Sequence, residues 1–313
     1  MTVKTALVGA VMALAPVSVA QAATLDATEL LQQYNVITRG DFTNRTDDIE
    51  GNAFIGGNVT SGNIFEFGAQ DATPRADVAE LVVLGDVDSS INLIRGGNAQ
   101  RDVFIAGSSN VRFENSAVQT TDANLVPENV IETLDTLSAD LAGLEANLSA
   151  TRGSNRLTLN ADGAEDGVAV FDLTVADLNL GEIDALLGDA SLVVINVTGG
   201  GNIATNFLGN SLPFGAKTIW NFLDADEILF ERTFVGQVLA GSAQVSNRGN
   251  LEGSLFASSF IQGAEAHINL FDGEIPSFSD DNVPDVTSVP LPAGFLTLFS
   301  GVLLLGRLRK RAS

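Results

Sequence analysis

Cysteine is absent from the 313-residue chain and histidine occurs once, as His267. Without cysteine there is no disulfide, no thiol nucleophile and no thiolate metal ligand. With one histidine, neither a His/Cys zinc centre nor a His-x-x-x-His pair can be assembled. Stability is therefore left to ordinary packing, which a chain of this length with 45% apolar residues can supply. Basic residues are scarce: 16 Lys and Arg face 39 Asp and Glu. Five of those 16 (Lys4, Arg307, Arg309, Lys310 and Arg311) sit at the two ends, and no Asp or Glu precedes Asp26 or follows Asp285. The middle of the chain thus carries 11 basic against 39 acidic side chains. Such a body repels nucleic acid and anionic membrane, so no nucleic-acid partner is expected. The Gly-x-Ser-x-Gly nucleophile motif is missing as well.

What is present begins at the ends. Residues 1–22 read as a signal peptide: Lys4, an uncharged apolar stretch from Ala6 to Val19, then Ala20-Gln21-Ala22. The small residues Ala20 and Ala22 set a signal peptidase cleavage point ahead of Ala23. Near the C-terminus, residues 277–288 form a polar linker holding Asp280, Asp281, Pro284 and Asp285. Residues 289–313 follow with Val289-Pro290-Leu291-Pro292-Ala293, an uncharged stretch to Gly306, and the basic tail Arg307-Leu308-Arg309-Lys310-Arg311. The uncharged run from Val286 to Gly306 is 21 residues, close to the ~20 that a helix needs to span hydrocarbon. The basic tail should stay cytoplasmic and hold the acidic body outside. Pro290 and Pro292 keep the backbone extended at the outer border, open to a processing enzyme.

Motif, span and basic tail in that order resemble the VPLPA variant of the PEP-CTERM sorting signals. The resemblance implies recognition by an exosortase, a membrane-embedded transpeptidase-like enzyme. It also implies transient residence in the inner membrane through the C-terminal helix, then display at the cell surface or in extracellular matrix.

Between the ends, residues 23–276 are rich in short apolar runs broken by Gly, Asn and Asp. Asn35–Thr38, Ala53–Val59, Leu81–Val87, Asp102–Gly107, Ser191–Val197, Thr218–Phe222, Gly236–Ala240 and Asn250–Ala257 read as strands and turns. The run in Ser191–Val197 predicts a strand buried on both faces. Gly51, Gly56, Gly62 and Gly68 hint at solenoid coils, but the spacing does not continue. Residues 127–150 break the pattern. Val130, Leu134, Leu137, Leu141, Leu144 and Leu148 recur at helical spacing and predict one long helix laid on the β body. Pro127 suits its first turn, with Arg152 and Gly153 at its end. A short second helix is expected within Val175–Leu187.

Several of these segments carry a second resemblance. Tyr34-Asn35-Val36, Gly40-Asp41-Phe42, Asp48-Ile49-Glu50-Gly51 and Ile55-Gly56-Gly57-Asn58 look like the opening of the choice-of-anchor A family of surface proteins. Val194–Gly199, Ile219–Phe222, Val238-Leu239-Ala240, Gly249–Gly253 and the stretch from Glu265-Ala266-His267 to Phe271 look like its later parts. Ala240-Gly241-Ser242 departs from the family, which often has proline there, and puts a local turn in doubt. The resemblance implies an adhesive domain with a right-handed β-helix and a long helix alongside, similar in outline to bacterial ice-binding domains. It attributes no catalytic residues.

Four constellations remain. Thr198-Gly199-Gly200-Gly201-Asn202 lacks the Gly-Lys-Ser/Thr ending of a phosphate loop and reads as a turn. Asn160–Gly167 clusters oxygen-bearing side chains but does not match a calcium loop, so an Asp-Gly turn is favoured. Asp47-Asp48-Glu50 is a weaker case of the same kind. His267, with Glu265 beside it, could act as a general base but reads better as structural. No cofactor or metal site is expected. The sequence favours a non-enzymatic adhesin or matrix component whose ligand is a surface, a polysaccharide or a protein. A β-helical polysaccharide-degrading enzyme and an ice-binding protein are the alternatives. Threonines occur singly along the strands, which counts against the regular hydroxyl array expected of an ice binder.

Overall fold

The computed structural model describes residues 22–276, apart from residues 46, 63, 70–74, 89–91, 96–100 and 116. Ala20, the linker, the sorting motif Val289–Ala293, the C-terminal helix and the basic tail lie outside the described residues. No described helix is long and apolar enough to cross a membrane. The described residues up to Ile275 form one compact unit.

That unit is a stack of parallel β coils, each with up to three short strands on three faces. The first face is a ladder of ten strands: β1 (Tyr34–Thr38), β2 (Asn52–Ile55), β3 (Leu81–Val83), β4 (Arg101–Ile105), β5 (Ala117–Thr120), β6 (Val168–Thr174), β7 (Leu192–Thr198), β8 (Thr218–Phe222), β9 (Gln237–Asn247) and β10 (Leu255–Gln262). Their order in space is β5-β4-β3-β2-β1-β10-β9-β8-β7-β6, every pair parallel. The chain starts in the middle, winds outward to β5, crosses to the far end and winds back until β10 docks on β1. Val36, Ile37 and Thr38 then pair with Leu255, Phe256 and Ala257.

Alternation along the strands explains which residues are inside. Val193, Ile195 and Val197 of β7 join the inner core, while Val194 points outward yet is also buried. The cover is helical. Helix α1 (Ala27–Gln33) starts on a capping box between Asp26 and Glu29. Helix α2 (Val130–Ala142) buries Val130, Leu134, Leu137 and Leu141, and packs on β7, β8 and β9. Its seat is also polar. Asn221 Nδ2 donates to Ser138 O at 2.9 Å, and Asn196 Nδ2 to Leu141 O at 2.9 Å. The apolar stripe therefore faces the β body as the spacing predicts.

The helix is shorter than the sequence pattern predicts. It has 13 residues rather than spanning 127–150, begins after Asn129 in a left-handed conformation (φ 58°), and ends at Gly143. The Gly143 N–H takes up the carbonyls of Ala139, Asp140 and Leu141. Leu144 and Leu148 lie beyond it. Asn147 instead bonds both ways with the edge of β6, to Val168 O and Val170 N at 2.8 Å. Thr151–Arg152 is a strand, so neither Arg152 nor Gly153 caps a helix. The second helix is also shorter than its expected range, a single turn at Val175–Leu178, and Glu182–Leu186 is a strand. Ala240-Gly241-Ser242 sits where β9 turns the corner between faces, at a register shift between Ala240 and Gln244.

The repeat that sequence spacing could not find is a corner ladder. Gly40-Asp41, Gly57-Asn58, Gly85-Asp86 and Gly107-Ser108 stack in successive coils. Gly57 N–H donates to Gly40 O, Gly85 N–H to Gly57 O and Gly107 N–H to Gly85 O, at 3.0, 3.0 and 3.1 Å. A Cβ on Gly85 would sit 2.5 Å from Gly57 O, and one on Gly107 2.3 Å from Gly85 O. At Gly57, Gly85 and Gly107 the stack leaves no room for a side chain. Beside it the polar residues bond down the column: Asn58 N–H to Asp41 Oδ1, Asp86 N–H to Asn58 Oδ1, and Ser108 N–H to Asp86 Oδ1, at 2.8, 2.9 and 2.6 Å. The intervals are 17, 28 and 22 residues, because the loops on the other faces absorb the difference.

Candidate functional site

The second face follows that corner and is open to solvent. Its strands are Gly201–Ile203, Glu227–Phe230, the second halves of β9 and β10, Phe42–Asn44 and Val59–Ser61. Ile228, Val245, Phe260, Phe42 and Val59 point inward in one buried column. The residues on either side point outward in two rows.

The row nearer the corner runs Glu227, Gln244, Ser259, Asp41, Asn58, Asp86 and Ser108. At ~4.8 Å per rung, these seven positions cover about 29 Å. The other row contains Asn202, Leu229, Ser246, Ile261, Thr43 and Thr60. The hydroxyls of Thr43 and Thr60 lie 3.1 Å apart. The ladder is held in place by its own bonds: the backbone N–H and hydroxyl of Ser108 both donate to Asp86 and hold its carboxyl below the usual value. At one end, a groove of about 540 Å3 lies over Asn58, Thr60, Asp86, Asp88, Ser108 and Asn110. A fixed polar lattice of this kind suits many weak contacts with an extended ligand.

The third face carries the residues that the sequence offered as chemistry. Nδ1 of His267 meets Glu252 Oε1 at 2.8 Å, and Nε2 meets Glu265 Oε2 at 2.7 Å. Carboxylates accept only, so these two contacts favour the protonated imidazole, while Asn250 Nδ2 also lies 3.2 Å from Nε2. Burial works against that charge, but the bonds from Glu265 and Glu252 outweigh it and hold the group above its ordinary value. Glu50 belongs to the same cluster, accepting from the Ile268 N–H at 2.8 Å. Burial raises Asp48 above the usual carboxylate value, with repulsion from Glu265 and Glu50 adding to it, and burial with Asp48 does the same for Glu66.

The sequence pair His267–Glu265 is thus real, and Asp48 and Glu50 stand beside it. Glu252 was missed because it lies 15 residues away, one coil earlier. The cluster straddles the seam of the fold: Ile49 bridges Phe67 on one side and Ala266 on the other. With Glu252 on one ring nitrogen and Glu265 on the other, His267 is a clamp across that seam.

The remaining expectations fall as turns. Gly199 and Gly201 have φ of 88° and 109°, and Gly199 N–H donates to Asp224. Asn160–Gly167 is a turn with Gly163 at φ 76°. Among the described residues no group of His, Asp or Glu is arranged to hold a metal ion.

Residues 27–268 match the family described as an ice-binding-like adhesive domain. No curated protein matches the chain. Among solved structures it is similar to the DUF3494 domain of Shewanella frigidimarina ice-binding protein 1. The identity there is 14% over 81% of this chain and 100% of that one, with a TM-score of 0.37. It is also similar to an ice-binding protein from an Antarctic biological consortium (14%, 81% and 95%, TM-score 0.34). A glycosylated ice-binding protein from an Arctic yeast is a third (9%, 80% and 96%, TM-score 0.37).

Proposed function

The chain belongs to the family of ice-binding-like adhesive domains, and from that premise we propose that it is a non-enzymatic adhesin that works outside the cell through its second face. The observation that carries the reading is the polar lattice from Glu227 to Ser108, registered strand by strand and open to solvent. Many weak contacts repeated along one rigid face add up to useful avidity where each alone would be transient. Export by the segment 1–22 and sorting by an exosortase at Val289–Ala293 complete the proposal. The latter would make the chain a choice-of-anchor A protein with a VPLPA tail.

Cells lacking the chain should attach less to surfaces, or form altered matrix, while growing normally on polysaccharide carbon sources. Normal attachment with lost polysaccharide use would instead support an enzyme.

Ice binding is the second reading, favoured by the family description and by the paired hydroxyls of Thr43 and Thr60. Against it, the same row carries Leu229, Ile261 and Asn202 in place of further threonines. Thermal hysteresis and inhibition of ice recrystallisation by the purified protein separate the two. Activity in both, lost in Thr43→Ala with Thr60→Ala, would make ice the ligand.

A further inference from the structure

The third face is interrupted. Its ladder Arg156–Asn160, Glu182–Leu186 and Asn206–Phe207 ends at Phe207, and a new ladder begins at Phe234–Val235 and continues through Leu251–Glu252 to Ala266–His267. The two neighbour each other, but among the described residues no strand pairing joins them. A groove of about 480 Å3 opens at this break, within the range of about 300–1,000 Å3 typical of small-ligand sites.

We propose that this groove binds a neutral saccharide unit. The lining divides in two. Phe207, Leu212 and Val235 give it apolar surface. Phe207 is held by edge-on packing against Trp220 and Phe234, with centroids 6.1 and 5.4 Å away. Leu212 is 43% exposed at the mouth. An apolar patch of this kind takes the C–H face of a sugar ring.

The polar half supplies both donors and acceptors, as sugar hydroxyls require. Ser211 lines the groove, and its hydroxyl is not used to cap the short helix that follows it. Thr233 and Arg232 stand exposed on the opposite wall.

Charge selects the neutral class. Glu231 is held by Arg248 at 2.8 and 2.9 Å, and Glu252 by His267 at 2.8 Å. Both carboxylates are therefore already paired within the chain and ask no cation of the ligand. The acidic body disfavours an anionic one. The site lies on a different face from the polar lattice, so a surface polysaccharide could engage both.

The inference deepens the adhesive reading and rests on it for an extracellular ligand. The test titrates the full-length protein with cellobiose, maltose and N,N′-diacetylchitobiose, followed by saturation-transfer NMR and calorimetry. At least one disaccharide should bind. Leu212→Ser and Arg232→Ala, both at the exposed mouth, should weaken it about tenfold, a loss of about 1.4 kcal/mol. Val118→Ser, exposed on the first face and outside the groove, should leave it unchanged, and emission from Trp220, the single tryptophan, reports that each variant is folded. Binding by none of the three, or equal binding to the mouth variants, overturns the assignment. Attachment is scored on the same preparations. Attachment without sugar binding sinks the groove alone, and loss of both in the wild type sinks the adhesive reading as well.

Discussion

Gly85→Ala is the sharpest probe of the corner ladder. The new Cβ would lie 2.5 Å from Gly57 O and 2.6 Å from Asn58 Oδ1. Neither atom can swing away. Gly57 O already accepts the Gly85 N–H at 3.0 Å, and Asn58 Oδ1 accepts the Asp86 N–H at 2.9 Å. The coils must part by nearly an ångström, against a rung spacing of ~4.8 Å. Forcing a methyl group into close packing costs about 1–3 kcal/mol, and stretching one backbone bond about 0.5–1.5 kcal/mol more. The expected loss is thus about 2–4 kcal/mol, or roughly 4–16 °C in Tm for a domain of this size at ~2–4 °C per kcal/mol. Urea denaturation at fixed pH measures it, with an unchanged m-value showing that the unfolded state is not responsible. Gly62→Ala is the control. Its Cβ would meet nothing within 4 Å, so it should be neutral or stabilise by up to about 1 kcal/mol. Equal stability of Gly85→Ala and Gly62→Ala would show that the coils are not in register at this corner, and the polar lattice would fall with it.

Leu134→Ala, at a fully buried position under α2, should cost about 2–5 kcal/mol by the same denaturation assay. His267→Gln tests the clamp. The folded value of His267 is raised, so its contribution is full below the unfolded pKa of about 6.5 and is lost as pH rises through the folded one. The wild-type urea midpoint should therefore fall from pH 5.5 to pH 8.5 more steeply than that of the variant, and parallel profiles would refute the charged clamp. Pro290→Ala with Pro292→Ala should leave an unprocessed species in the inner-membrane fraction on immunoblots, whereas unchanged processing would reduce the tail to a plain anchor.

Much of this fold could be read from residues alone, but not its order. Short apolar runs gave the strands, and the run Leu192–Val197 was rightly expected to be buried on both sides, since core and α2 flank it. The stripe from Val130 to Leu141 gave the helix and its buried side. Its length was misread because periodicity continues through Leu144 and Leu148 after Gly143 has ended the hydrogen bonding. The coil repeat stayed hidden because only the Gly-Asx corners repeat, at unequal intervals. The site was legible where contacts are local, as between Glu265 and His267. It was not legible across coils, as with Glu252, Glu50 and Asp48. The groove had no sequence signal at all, because it arises where two ladders fail to join.

The docking of β10 on β1 also sets when the molecule can be finished. Val36 and Leu255 are 219 residues apart, and contacts of such separation form late and slowly. A chain emerging N-terminus first has β1 through β5 long before β10 exists, and until then β1 presents a bare edge open to mispairing. The last coil acts as a keystone, closing two half-stacks in one event. A chain cut short before residue 255 should therefore fail as a whole rather than lose one rung. Any factor that shields the edge of β1 until β10 arrives would raise the yield of folded protein without touching its final stability.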